Sequence, residues 1–510
     1  MSTTSTSSCG DLSLLRLQEG GRCEEQHQSL CLVHVGHGDN HLLMPWTGLL
    51  GQVMIDMLPD NVLLEIFDFY KKDTVFSIRT IWIYTWRWKA LIQVCRRWRC
   101  VIFGSSRRLD LRIVCTDKTP TRTSLDIWPP FPISIACLKE VNEKNIESII
   151  AAVEHGNDRI SHISISISGS AIGKLAAAMQ QPLPTLTHLR LVSFDQSVPV
   201  LPETFLGVSA PLLEAFSLNG IAFLTFPQFI PPSTHIRFLS ILDIPHSGYI
   251  SPNAVVACLA ALPNLEDLFI GFRSPLSRPP QITPPPRTRV VLPALTQLSF
   301  CGVSEYFEDV VAQIDTPLLS LLDITFFMDL IFDTPRLRHF VGRAESLQPL
   351  NQAVMEFHDR EIWIRVGFIR LFALQIRCER PDWQLSSIVQ IFGQQLPLLS
   401  HVEQLEISQK RQLNIERIDN TDMDSSLWLE LFRLFIAVQS LRVSKKLVPP
   451  VAAAFRELTG ERTMEVLPAL HSLSLEGLES SGPVPEGIRS FVAARQLSDH
   501  HVAVQSWNRS

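Results

Sequence analysis

The chain has 510 residues, of which 46% are hydrophobic and 19% charged, a composition that supports a large folded core and excludes wholesale disorder. A formal net charge of -6 offers no basic surface, so nucleic acid is not expected as a partner. The ten cysteines form no CxxC pair, which favours reduced thiols in the cytoplasm or the nucleus, or both, over disulfides or zinc ribbons. No signal peptide or membrane-spanning apolar run is recognisable, so we expect no membrane partner.

Residues 1–50 match no structural pattern. Serine and threonine dominate the first ten residues, and we expect this segment to be a mostly disordered tail. It also contains Cys31, His34, His37 and His41, which are residue types that bind transition metals. Their spacing matches no standard metal site, so the sequence predicts neither a metal nor another cofactor.

Two amphipathic helical segments are predicted between residues 57 and 112. Leu58 and Pro59 begin the first, because proline is tolerated in a first turn, where its missing N–H has no helical partner. The apolar residues that recur at helical spacing in this segment are Val62, Leu63, Ile66, Phe67 and Tyr70. Those of the second segment are Trp88, Leu91, Ile92, Cys95, Trp98, Val101 and Ile102. Residues 71–87 form an insertion between the two.

The motif LPDNVLLEIF, followed after the insertion by VCRRWR, resembles the F-box. The next segment, SRRLDLRIVCTDKTP at 106–120, resembles the fungal, basidiomycete-type F-box proteins. The resemblance implies that residues 57–112 dock onto a Skp-type adaptor of a cullin-RING ubiquitin ligase. The adaptor-binding residues that it implies are Leu58, Pro59, Leu63, Leu64, Ile66, Phe67, Leu91, Val94, Cys95 and Trp98. The alternative is a helical hairpin that packs only against the rest of this chain.

Two proline-containing segments are predicted to be non-helical. Residues 113–132, in which Pro129, Pro130 and Pro132 cluster, are expected to link the F-box-like segment to the rest of the chain. Residues 274–289 are also rich in proline and contain basic residues. They are either an exposed loop or a polyproline segment that a partner binds, and the sequence favours the loop.

A unit of the form P-x-L-x-x-L-x-L returns through the remainder of the chain. Its prolines are Pro184, Pro211, Pro263, Pro293, Pro317 and Pro468. Most neighbouring copies are about 23–36 residues apart, which is the period of a solenoid. The L-x-x-L-x-L core is the leucine-rich-repeat pattern, and helix candidates lie between the copies. An ordinary doubly wound α/β domain is the alternative, but its architecture does not require a proline before every strand.

The predicted fold class is therefore α/β. A short helical F-box is followed over residues 133–480 by irregular leucine-rich repeats, which form a solenoid with a curved parallel sheet and outer helices and loops. Residues 481–510 are expected to be a C-terminal helix and tail. No GxSxG, GxxxxGK[ST], HExxH or GxGxxG motif occurs, so no enzymatic activity is expected.

In each L-x-L step the leucines should face the interior and the intervening residue should face out. The outward residues expected to bind a target protein are Arg190, Phe269, Asp323, Gln375, Glu406 and Arg442, together with Ser217, Ser299 and Ser474. The expected function is that of the substrate-recognition subunit of a cullin-RING ubiquitin ligase. The alternative is a leucine-rich-repeat scaffold that takes part in no ligase. The target itself has no signature in the sequence.

Overall fold

The computed structural model describes residues 55–72, 87–116, 130–137, 146–195, 197–222, 235–275, 288–327, 332–347, 351–367, 371–378, 381–393, 397–410, 424–458, 460–478 and 483–507. The chain divides into two units, Met1–Leu58 and Pro59–Ser510. In the first unit, a 3-10 turn spans Ile55–Met57. The expected N-terminal tail, most of the 71–87 insertion and most of the 274–289 segment lie outside the described residues.

Helices and strands alternate along the second unit. The helices are α1 (Asp60–Lys72), α2 (Arg87–Val94), α3 (Arg96–Gly104), α4 (Ile146–Gly156), α5 (Gly169–Ala178), α6 (Pro252–Leu259), α7 (Ser304–Val311), α8 (Pro335–Arg343), α9 (Pro381–Gly393), α10 (Ser425–Arg433), α11 (Val448–Arg456) and α12 (Glu486–Leu497). The strands of the first half are β1 (Ile113–Cys115), β2 (Ile133–Cys137), β3 (Ile160–Ile167), β4 (His188–Ser193), β5 (Ala215–Asn219), β6 (Phe238–Ile244), β7 (Asp267–Phe272), β8 (Val290–Val291) and β9 (Gln297–Gly302). Those of the second half are β10 (Ile314–Asp315), β11 (Leu321–Phe327), β12 (Gln352–His358), β13 (Glu361–Val366), β14 (Phe372–Arg377), β15 (Gln404–Gln409), β16 (Ser440–Val443), β17 (Ser472–Glu476) and β18 (Ala503–Trp507).

A single curved sheet runs through this unit. Sixteen of the described strands pair in the order β1-β2-β3-β4-β5-β6-β7-β9-β11-β14-β13-β12-β15-β16-β17-β18, and β8 pairs separately with β10. Successive helices contact one another, as α4 does α5 and α11 does α12, so that they form an outer layer. The predicted α/β class, with a long parallel sheet and outer helices, is confirmed.

The recurring proline has a clear structural reason. In each copy the N–H of the first leucine donates a hydrogen bond to the carbonyl three residues earlier, as Leu186 does to Leu183 at 3.1 Å and Leu470 to Leu467 at 3.0 Å. The proline thus occupies the second position of a β-turn, where its fixed φ is already the one required. The leucine that closes the turn is buried in every copy: Leu186, Leu213, Leu265, Leu295, Leu319 and Leu470. Each P-x-L step therefore turns the chain and anchors the next strand in the core.

The structure differs from the sequence-based expectation at three places in the sheet. The first strand, β1, lies inside the segment expected to be a linker, and it pairs in parallel with β2. The last strand, β18, lies in the expected C-terminal tail and pairs with β17. Between β11 and β15, the β12–β13 hairpin adds two antiparallel pairings to a sheet that is otherwise parallel among the described strands. The hairpin turns at Asp359 and Arg360, and neither of its strands carries the L-x-x-L pattern that marks the repeats.

A cluster of aromatic side chains fills the core between α6, α7 and the neighbouring strands. The Tyr306 ring lies 4.7 Å from that of Phe272 and 5.8 Å from that of Phe300, measured between centroids. The buried Tyr306 hydroxyl donates a hydrogen bond of 2.8 Å to the carbonyl of Ile250. Apolar packing and one satisfied polar group together hold α7 against the preceding repeat.

Tyr306→Phe is expected to lower the free energy of unfolding by about 1 kcal/mol, because the Ile250 carbonyl loses its buried donor while the ring packing stays. Chemical denaturation measures the change. An unfolding free energy equal to that of the wild type would contradict the assignment of the hydrogen bond to the core.

Candidate protein-binding surfaces

Helices α1, α2 and α3 enclose a small apolar core of their own. Leu63, Phe67 and Ile102 are fully buried, and the rings of Phe67 and Trp98 lie 4.8 Å apart between centroids. Cys95 caps α3, because its Sγ accepts a hydrogen bond from the N–H of Trp98 at 3.4 Å. The cap fixes the start of α3 at Arg96, and in the helix that begins there the Trp98 side chain is buried.

The ten residues implied by the F-box resemblance fall into different environments. The buried ones are Leu63, Leu64, Phe67 and Trp98. Leu91 and Cys95 are half-buried, Pro59, Ile66 and Val94 are exposed, and Leu58 belongs to the preceding unit. A buried side chain does not reach a partner while the helices stay packed. The four buried residues are thus core residues in this structure, and not the surface contacts that the resemblance implies.

The exposed side of α1 carries a second apolar stripe, which we call the α1 stripe. Its members and their exposed fractions are Val62 (37%), Ile66 (41%), Phe69 (70%) and Tyr70 (42%). They follow the i, i+4, i+7, i+8 spacing of one helix face. Exposed apolar side chains in such an array are typical of a docking surface. The sequence analysis did not include Phe69 among the site residues, although its spacing from Val62 and Ile66 places it in the same stripe.

The second surface is the open sheet face, the face of the sheet that carries the residues alternating with the buried strand side chains. The register places five of the predicted target-binding residues in one row across neighbouring strands: Arg190, Ser217, Phe269, Ser299 and Asp323. Three more form a row on the C-terminal strands: Glu406, Arg442 and Ser474. Ser474 is buried, so the expectation that it is available to a target is wrong. Ala373, Arg365 and Val354 join the two rows across the hairpin.

Gln375 does not belong to this row. The register pairs Asp323 with Ala373, and Gln375 pairs with Thr325 and Trp363 in the next row. The L-x-L pattern predicts that Leu374 pairs with Leu322. In the structure Leu322 pairs with Phe372, so the predicted register of β14 is wrong by two residues. The Gln375 amide oxygen accepts a hydrogen bond of 3.0 Å from the Thr325 hydroxyl, and its amide nitrogen donates to Glu361.

Two histidines lie near the first end of the open sheet face. His162 on β3 and His188 on β4 stack with ring centroids 4.2 Å apart, and the Arg112 guanidinium contacts His162. Burial, followed by the charge of Arg112 and the proximity of His188, lowers the pKa of His162 to about 3. His162 is therefore uncharged at neutral pH, and it adds a polar group but no positive charge to this part of the surface.

Near the hairpin, a buried carboxylate is held by two cations. Glu356 on β12 is paired with Arg365 on β13, and its Oε1 lies 2.9 Å from Nζ of Lys410. Burial alone would raise the pKa of Glu356, but the hydrogen bond from Lys410 and the two positive charges hold it below its usual range. The arrangement is an internally satisfied network that pins the hairpin to β15.

Within the part of the chain that the structure describes, no group of three or more His, Cys, Asp or Glu side chains is placed to hold a metal ion. No helix in the described ranges is long and apolar enough to cross a membrane. Cys31, His34, His37 and His41, at which the sequence predicts no metal site, lie outside those ranges.

Parallel strands and outer helices stacked repeat by repeat define a leucine-rich-repeat-like solenoid, an architecture typical of protein-interaction modules. No family model and no curated protein matches the chain. Among solved structures, it is similar to the leucine-rich repeat-containing protein LegL7 from Legionella pneumophila, with 11% sequence identity and a TM-score of 0.24. That match covers 77% of this chain and 99% of LegL7.

Proposed function

We propose that this protein is the substrate-recognition subunit of a cullin-RING ubiquitin ligase of the cytoplasm, the nucleus or both. Helices α1–α3 bind a Skp-type adaptor, and the open sheet face holds a target protein. The protein itself performs no chemistry and needs no cofactor. It holds the target near a ubiquitin-charged enzyme, and the gain in rate comes from proximity.

The observation that carries this proposal is the α1 stripe. A helix that packs only within its own chain buries its apolar residues, whereas α1 buries Leu63 and Phe67 and also presents Ile66 and Phe69 to solvent. Covering such a stripe with a partner removes apolar area from water, which is the main favourable term in association. Val62 and Ile66 of the stripe lie within the sequence motif that resembles the F-box, and Phe69 and Tyr70 follow it on the same helix, so both arguments concern α1.

A scaffold that belongs to no ligase is the second candidate, and a specific contact favours it. The Phe131 ring, just before β2, lies 6.0 Å from Trp88 on α2 and 5.6 Å from Phe103 on α3. These helices therefore also cover the start of the sheet, where a terminal cap is needed in any solenoid. The two candidates are distinguished by whether adaptor, cullin and RING subunits co-purify together with the chain.

The double variant Ile66→Ser/Phe69→Ser is expected to lose adaptor binding. Truncating apolar anchors of an interface costs about 2 kcal/mol or more, roughly thirtyfold in affinity. Binding of a purified Skp-type adaptor to the full chain, measured by calorimetry, tests the expectation. Leu212→Ser/Leu318→Ser also removes two exposed apolar side chains, here from the repeats, and this variant should bind the adaptor as the wild type does. Unchanged adaptor binding by the α1 variant, with an unchanged melting temperature, would overturn the proposal.

A further inference from the structure

An open groove lies where the chain enters the strands in the first half of the sheet. Its volume is about 310 Å³, and it is lined by Glu214, His235, Arg237, Asn264, Glu266 and Ala294. These residues lie just before β5, β6, β7 and β9, so the groove crosses several repeats at right angles to the strands. We call it the entry groove.

Two phenylalanines of the open sheet face lie next to the entry groove. Phe238 follows Arg237 directly and begins β6, and Phe269 lies on β7 in the row of Arg190 and Asp323. Their ring centroids are 5.3 Å apart, because the two residues are diagonal neighbours across the strand pair. Both rings are only half-buried. They provide an apolar platform at the edge of a charged groove.

The charges around this platform are mostly negative. Glu214, Glu266 and Asp267 face a single arginine, Arg237, whose Nε and Nη2 both donate to the same oxygen of Glu266, at 2.8 and 2.5 Å. Among the described residues, Glu214 and Asp267 take part in no ion pair. Burial and the neighbouring charge of Glu266 raise the pKa of Asp267 against the opposing charge of Arg237, so that arginine compensates the Asp267 carboxylate only in part.

We propose that the entry groove and the Phe238–Phe269 platform bind an extended segment of the target in which lysine or arginine flanks an aliphatic or aromatic residue. The apolar side chain of that segment packs on the two phenylalanine rings. Its cation reaches Glu214 and Asp267, and an arginine also stacks on an aromatic face. The inference rests on the proposed function, in which the open sheet face receives the target, and it names the chemistry of that target.

Other occupants fit this surface less well. A nucleic acid would bring phosphates toward three carboxylates. A second copy of the chain in a two-fold contact would bring the same carboxylates face to face, because such an interface pairs a patch with itself. A basic, partly apolar peptide complements both the charge and the platform.

The test selects a fully randomised twelve-residue peptide library, displayed on phage, on the intact chain. The enriched peptides are then synthesised, and their affinities are measured for the wild type and three variants. We expect enriched sequences in which Lys or Arg lies next to Leu, Ile, Val or Phe. Their affinity should fall at least tenfold for Glu214→Gln/Asp267→Asn and for Phe238→Ser/Phe269→Ser. Glu154→Gln, an exposed carboxylate on the outer helix α4, is the matched control and should leave the affinity unchanged.

Three outcomes would overturn the inference. They are the enrichment of acidic peptides, the enrichment of none, and peptide affinities that the groove and platform variants leave unchanged. The melting temperature of each variant shows that a loss of affinity is not a loss of fold. Adaptor binding is measured on the same variants and should stay intact, because α1 is unaltered. If the peptide test fails while the adaptor still binds, only the inference about the target is rejected. If the wild-type chain does not bind the adaptor, the proposed function is rejected.

Discussion

Gly487→Ala should lower the free energy of unfolding by about 3 kcal/mol or more, the largest effect that we expect from a single added methyl group. Gly487 lies at the start of α12, and a Cβ there would lie 1.9 Å from the carbonyl oxygen of Ala452 on α11. That distance is far inside van der Waals contact, and the obstructing atom belongs to the backbone. The two helices must move apart, and overpacking of a rigid contact costs stability.

The effect should concentrate in the terminal repeat. Hydrogen exchange should accelerate in α12 and β18 while the strands before β15 stay protected. Gly173→Ala provides the matched control, since a Cβ at this position inside α5 meets nothing within 4 Å. It should raise stability by about 0.5–1 kcal/mol through helix propensity alone. If both alanine variants were more stable than the wild type, the result would contradict the close contact between Gly487 and the Ala452 carbonyl.

Glu308→Ala is expected to lower the free energy of unfolding by about 2–6 kcal/mol. The buried Glu308 carboxylate on α7 accepts hydrogen bonds from the N–H groups of Arg336, at 2.8 Å, and Leu337, at 2.7 Å. These are first-turn N–H groups of α8, which no residue of α8 itself can satisfy. Alanine would leave both donors buried without a partner, and each such loss costs about 1–3 kcal/mol. Denaturation of Glu305→Ala, an exposed neighbour on the same helix, should show a change under about 1 kcal/mol.

The same carboxylate should make stability depend on pH. Burial raises the pKa of Glu308 from its ordinary 4.5 to about 7, against the opposing effect of the two N–H groups. Because the folded state holds the proton more tightly, the contribution is fully present below about pH 4.5 and is lost as the pH rises through about 7. The difference in unfolding free energy between the wild type and Glu308→Gln should therefore decrease from about pH 5 to about pH 8. A difference that stays constant or grows over this range would contradict the raised pKa.

The repeats were predictable because each one depends on a local signal. Pro184 or Pro468 presets a turn, and the leucine two residues later closes it with a backbone hydrogen bond. The hairpin was not predictable in this way. Its strands read as ordinary alternating segments, and their place in the sheet depends on which distant strand each of them pairs with. The misplacement of Gln375 by one row follows from the same cause, since register across an insertion is not a local property.

The helices that resemble an F-box show a second limit. Apolar residues at helical spacing predicted α1, but two adjacent stripes satisfy the spacing equally well. One stripe contains Leu63 and Phe67, and the other contains Ile66 and Phe69. Contacts with the other helices decide which stripe is buried, and the Trp98 ring packs against Phe67 of the first stripe. The residues available to a partner therefore depend on tertiary packing that no single helix encodes.

The hairpin also affects the order in which the chain assembles. Of the three strands β12, β13 and β14, the last to be synthesised, β14, is the one that pairs with β11. A ribosome-bound chain can extend the sheet one strand at a time up to β11, but growth must then wait until Arg377 has emerged. The segment from Gln352 to Arg377 should therefore join the sheet as one cooperative block. This block divides the solenoid into an early-folding half and a late-folding half.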